Sequence, residues 1–199
     1  LPPPLRRQRQ MCIRDRSTFE RYVEALVEEV RSLKVGDPRD PSVGLGALIS
    51  HAHRDKVESY LKLAREEGGT IRCGGERIDG PGAFLTPAVI TGLKSSCRTA
   101  TEEIFGPVVT VHPFSTDAQA VAMANEVRYG LAASVWTTNL SRAHTVSASL
   151  DTGMVWVNTW LLRDLRVPFG GVKESGVGRE GGHLSLEFFS EAQNICVKL

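Results

Sequence analysis

Two carboxylates stand side by side ahead of a bend in Glu102-Glu103-Ile104-Phe105-Gly106-Pro107-Val108. An ionised carboxylate only accepts hydrogen bonds, which suits a diol such as a ribose, or a metal ion. Phe105 adds a flat apolar face against which a heterocycle can pack. The same residues also describe a solvated charged turn with Phe105 in the core, because most charged side chains simply face water. Further along, Asn158 to Phe169 carries Arg163 and Arg166 beyond an apolar run. A guanidinium there can grip a carboxylate through two hydrogen bonds, and ligands of α/β sheets bind beyond the carboxyl ends of strands. The plain alternative is two surface arginines.

The stretch Pro168 to Glu180 gathers glycines around Lys173 and Arg179. It is neither a Walker pattern nor a Gly-x-Gly-x-x-Gly turn opening a helix. A structural loop, with glycine supplying positive φ and close backbone approach, is the better reading. The cysteines Cys12, Cys73, Cys97 and Cys196 are scattered, with no Cys-x-x-Cys and no histidine at ligand spacing. No metal site or disulfide framework is expected, and a reducing, cytoplasmic setting fits. No cysteine has a context that would lower its pKa. The five histidines form no His-Glu-x-x-His or triad signature, and His51 and His53 read as ordinary first-turn helix residues. No catalytic residue is therefore assigned.

Alternating helices and strands must position these groups. Ser17-Thr18-Phe19-Glu20 reads as a capping box for a helix whose apolar stripe is Phe19, Val23, Leu26, Val27, Val30 and Leu33. A second amphipathic helix is expected from about Ser50 to Glu67, stopped by Gly68-Gly69. Strands are expected around 70–72, 84–90, 108–113, 132–137 and 153–158, with helices from Thr116 to about Glu126 and near 141–150. This order predicts an α/β layer with a mostly parallel sheet flanked by helices. The last residues, Asn194 to Leu199, alternate weakly and could leave the main body as a strand.

The chain has 199 residues, a net charge of +1, 41% hydrophobic and 24% charged residues. That composition is ordinary for a soluble globular protein and gives no overall field to draw nucleic acid. No apolar run reaches the roughly 18–20 residues needed to span a bilayer, and the start does not read as a secretory signal. Residues 1–16 differ, opening on a proline run followed by five arginines. They read as a disordered or foreign basic tail, since such a composition buries too little surface to offset ordering entropy. A nucleic-acid-binding arm is disfavoured because no aromatic residue interleaves the arginines.

Several segments in order resemble the aldehyde dehydrogenase family. They are Val35-Gly36-Asp37-Pro38 with Leu48-Ile49-Ser50, the Glu102–Val108 stretch, Asn125 to Ala132, Val155-Trp156-Val157-Asn158, and Pro168-Phe169-Gly170-Gly171. The resemblance covers about Ser17 to Leu199 and implies the C-terminal portion of that fold. It divides the chain into the tail 1–16, a catalytic-domain portion 17–187 and an oligomerisation strand 188–199. It also implies NAD+- or NADP+-dependent oxidation of an aldehyde to an acid through a thioester, in a homo-oligomer (dimer or tetramer). Glu103 matches the carboxylate that binds the nicotinamide ribose, and Phe105 the ring packed beside the nicotinamide. Phe169 matches a wall of the substrate tunnel, and Arg179 with Glu191 a charge pair near the interface. The family's nucleophilic cysteine context is not found where register would put it, near Arg6, and Cys12 lacks the preceding glycine. The chain alone is therefore expected to be inactive. Asn158 to Arg166 and Asn194 to Leu199 further resemble the subgroup that oxidises 2-hydroxymuconic or 2-aminomuconic semialdehyde, in aromatic or tryptophan catabolism. There Arg163 would pair with the substrate's distal carboxylate. A dehydrogenase for another aldehyde, or a non-catalytic assembly module, are the alternatives.

Overall fold

The computed structural model describes residues 10–199, so most of the expected tail lies outside the described residues. The chain divides into two compact units, the first ending at Glu126 and the second running from Val127 to Leu199. The division falls inside the span 17–187 that was expected to be one catalytic portion.

The first unit corrects the reading of the tail. Its first element is a strand, β1 (Gln10–Asp15), paired in parallel with Val109–Phe114. Met-Cys-Ile supplies the apolar side chains of this strand. Arg14, counted as a sign of disorder, lays its guanidinium 3.9 Å from the Tyr22 ring centroid, a cation–π contact that lets a charged group stay in an ordered segment. Helix α1 (Phe19–Ser32) follows, but the expected capping box does not form. Asp15 takes its place, accepting from the Ser17 amide and hydroxyl at 2.9 and 2.6 Å, while Glu20 lies 3.4 Å from Arg72.

Helix α2 (His51–Glu66) forms as expected, the Ser50 hydroxyl accepting from the His53 amide. Gly68, at φ +86°, supports the turn beyond it. Strands β2 (Thr70–Cys73) and β3 (Ala88–Thr91), the short helix α3 (Arg98–Thr101), strand β4 (Val108–Phe114) and helix α4 (Asp117–Asn125) complete the unit. The sheet order is β1-β4-β3-β2, parallel except for β2 against β3. Alternation along β3 and β4 supplies two cores. Val89, Val109 and Val111 pack with Val23 and Val30 of α1, whereas Ala88, Ile90 and Val108 pack with Val57 and Leu61 of α2. A helix therefore covers each face of the sheet, which is why the strands read as near-continuous apolar runs.

The second unit holds β5 (Tyr129–Gly130), β6 (Ala132–Val135), α5 (Leu140–Ala148), β7 (Met154–Val157), β8 (Val172–Lys173) and α6 (Gly182–Phe189). β6 and β7 pair in parallel, and β5 pairs antiparallel with β8. Helix α6 takes residues 188 and 189, the start of the expected oligomerisation strand. Residues 190–199 are exposed and form no strand within the chain. Among the described residues no helix is long and apolar enough to cross a membrane.

Candidate active-site loops

The two neighbouring carboxylates of the first unit have separate roles. Glu102 is engaged twice, by the Tyr60 hydroxyl at 2.7 Å and by Arg98, whose Nε stands 2.7 Å away. Glu102 in turn raises the pKa of Arg98. The Glu103 carboxylate makes no hydrogen bond or ion pair with a described residue; only its main-chain carbonyl is held, by Lys56 Nζ at 3.4 Å. Ile104 is buried against α2, which turns its neighbours Glu103 and Phe105 away from the core.

Phe105 is not in the core, contrary to the plain reading of its stretch. It is 47% exposed and sits at φ +60°, a left-handed conformation that a bulky residue rarely adopts and that clusters at functional sites. His53 Nε2 donates to the Phe105 carbonyl at 2.7 Å, and the two rings meet edge to face at 5.9 Å. At Gly106 a Cβ would come within 2.6 Å of Val57. The loop is thus gripped residue by residue along one face of α2: His53, Lys56, Val57 and Tyr60, at the i, i+3, i+4, i+7 spacing of a helix face. Sequence reading missed this role for His53, Lys56 and Tyr60. The one available signal was the polar and aromatic stripe beside the apolar one.

In the second unit the Gly-rich stretch is a structural loop, as expected. A Cβ at Gly153 would lie 1.6 Å from the Gly170 carbonyl, and one at Gly181 2.3 Å from that of Val167. Arg179 points inward, donating to the carbonyls of Gly171 and Gly178 at 2.8 and 2.7 Å. Its partners are these carbonyls rather than Glu191, which is exposed. Lys173 Nζ reaches the Val127 carbonyl.

Asn158, at φ +52°, closes the end of β7 by exchanging side-chain hydrogen bonds with the Thr137 backbone at 2.9 and 2.8 Å. Buried Trp156 donates to the Leu162 carbonyl at 2.8 Å and meets Trp160 edge to face. The two arginines then diverge. Arg166 is forked onto Asp164, Nε at 2.9 Å and Nη2 at 2.5 Å, which lowers the Asp164 pKa. Arg163 lies across the face of Phe169, 4.1 Å from the ring centroid, with Nη2 3.2 Å from Glu180 Oε1. The predicted substrate residues Arg163 and Phe169 are therefore in contact.

Burial raises the Cys12, Cys73 and Cys97 thiols, and Cys196 is in the exposed C-terminal stretch. Two surface grooves, of about 420 and 380 Å³, run beside the C-terminal part of α1 and are lined by none of the predicted site residues.

The first unit is an α/β layer whose loop carries a strained aromatic residue beside an unengaged carboxylate, and the second lays an arginine on a loop phenylalanine. The sequence profile described as "Aldehyde dehydrogenase family" matches residues 8–195. The chain belongs to the aldehyde dehydrogenase family. It is 50% identical over 192 residues to the 2-aminomuconic 6-semialdehyde dehydrogenase of a Pseudomonas species, covering 93% of this chain and 39% of that protein. To the human 2-aminomuconic semialdehyde dehydrogenase it is 47% identical, covering 92% and 39%. It superposes on betaine aldehyde dehydrogenase from Staphylococcus aureus, solved with NAD+, at a TM-score of 0.87 and 38% identity, covering 90% of this chain and 36% of that one. The chain spans about two-fifths of the length of the curated relatives it matches.

Proposed function

We propose that this chain is the part of an NAD(P)+-dependent dehydrogenase that receives the nicotinamide ribose and reads the far end of a carboxylated, muconic-type semialdehyde. The contact of Arg163 with Phe169 carries this reading. It sets a cation against the residue that matches the tunnel wall, in a chain half identical to a muconic semialdehyde dehydrogenase.

The residues fit the cofactor. Glu103 offers carboxylate oxygens to ribose hydroxyls, and the exposed Phe105 offers a ring face to the nicotinamide. The dinucleotide, when bound, supplies the hydride acceptor. His53, Lys56 and Tyr60 hold the loop so that binding does not have to order it. The raised Cys12, Cys73 and Cys97 thiols support an inactive chain, so the 199 residues alone should form no aldehyde-dependent NADH at 340 nm.

A homo-oligomer is part of the proposal. Ile195, Val197 and Leu199 alternate along the exposed C-terminal stretch, the pattern of a strand that adds to the sheet of a second copy. The unpaired thiols support a reducing, cytoplasmic setting.

The test joins residues 17–199 to the N-terminal part of the Pseudomonas relative. The joined enzyme should oxidise the semialdehyde with a higher kcat/KM than a neutral aldehyde of the same length. Equal values for the two would refute the reading.

A further inference from the structure

We propose that Glu180 is the resident partner of Arg163, a carboxylate that the substrate's own carboxylate must displace, and hence a specificity-determining residue of this loop. The proposal rests on the reading of Arg163 as the substrate clamp. Phe169 and Glu180 face each other in an antiparallel bridge, each amide donating to the other's carbonyl at 2.7 and 2.8 Å. That bridge fixes the two groups that hold Arg163: the ring beneath its guanidinium at 4.1 Å and the carboxylate at its edge at 3.2 Å.

The grip is incomplete. Glu180 uses one oxygen on one nitrogen, at a distance longer than the ~2.7–2.9 Å usual for charge-assisted bonds. Arg166, on the same loop, is instead forked by Asp164 and has little left to offer. Nη2 is the nitrogen shared by both ways a guanidinium can fork a carboxylate, with Nε or with Nη1. Nη2 gives one N–H to each fork, so an incoming carboxylate that takes the fork on Glu180's side contends with Glu180 directly, and on either side its charge repels the one already there. Release of Glu180 is easy because both side chains reach water, at 38% and 61% exposure. A neutral aldehyde makes no such exchange and leaves the pair closed. The pair thus admits ligands by charge, with the Phe169 ring keeping the guanidinium in place while its partner changes.

The test uses the 199-residue chain and trans,trans-muconate as the probe. NMR follows the Arg163 Nε–Hε signal and the Glu180 side-chain carboxyl carbon at fixed ionic strength. In the unaltered chain both signals should move together to saturation. Glu180→Gln should bind the probe roughly two- to fivefold more tightly, the scale of an exposed ion pair. Arg163→Ala should abolish the saturable shifts of the Phe169 and Glu180 amides. Equal or weaker binding by Glu180→Gln, or a Glu180 carboxyl signal that stays still while Arg163 saturates, would overturn the displacement and leave the clamp standing. If Arg163→Ala bound the probe as the unaltered chain does, the clamp itself would fail. Should Glu180→Gln disturb the Phe169 bridge, the carboxyl signal of the unaltered chain decides alone.

Discussion

The loop Glu102–Gly106 and the loop Asn158–Glu180 both present candidate binding groups, but they are held in different ways. The first is held by a helix. Four side chains of α2 grip it, and the glycine that seats it meets a valine side chain. The second is held by its own backbone, with glycines packed directly against carbonyls and Arg179 filling the turn. A side-chain seat can give by a few tenths of an ångström; a backbone seat cannot. The first loop carries its strain at Phe105, an exposed ring at positive φ. The second carries charge that its neighbours only partly satisfy. On the proposed reading, the first loop offers the cofactor an exposed aromatic face, and the second offers a carboxylated substrate exchangeable charge on an unyielding backbone.

Adding a methyl group to each seat should break the comparison open. Gly153→Ala drives a Cβ to 1.6 Å from the Gly170 carbonyl, and urea unfolding should show a loss of about 3 kcal/mol, the upper end of ordinary overpacking. Gly106→Ala meets only the Val57 methyl groups, and should cost about 1 kcal/mol in the same measurement. Equal losses would remove the distinction between the two seats.

His53→Ala removes the hydrogen bond to the Phe105 carbonyl and should cost roughly 0.5–1.5 kcal/mol. Phe105→Gly should leave stability within about 0.5 kcal/mol, because an exposed ring is lost while a positive φ becomes unstrained. In the joined enzyme the same change should raise KM for NAD+. A large loss of stability would instead make Phe105 a packing residue.

The smallest effect concerns pH. Asp164 is lowered by Arg166 below its ordinary value of 3.8. A depressed folded value means the pair's contribution is full above the ordinary value and disappears as pH falls through the lower one. NMR titration of Asp164 should show the depressed midpoint, which Arg166→Gln returns toward 3.8.

What was legible in the sequence was local. The apolar stripe starting from about Ser50 gave α2, and Thr116 gave the start of α4; in the structure both side chains cap their helices. Short strand-like segments gave β4 and, from its second half, β3, which begins at Ala88 rather than at 84, and their alternation with helices gave the parallel sheet. Strand β1 was hidden because Arg14 and the arginines around the strand counted toward disorder, and the sequence does not show that Arg14 has an aromatic partner in Tyr22. The capping box failed for a related reason: Asp15, at the end of that unread strand, reached the helix start first. The grip on Glu102–Phe105 was illegible because its partners lie 42 to 52 residues away in the chain. The difference between Glu102 and Glu103 could not be read either, since it depends on Tyr60 and Arg98 arriving at only one of them.

The most direct measurement compares Arg163→Ala with the unaltered joined enzyme on two aldehydes of equal length, one carboxylated and one neutral. Loss of a charge-assisted bond of roughly 2–3 kcal/mol should lower kcat/KM for the carboxylated aldehyde about 30- to 150-fold, with the neutral aldehyde little changed. If both values fell together, or neither fell, Arg163 would not be the group that reads the substrate's carboxylate.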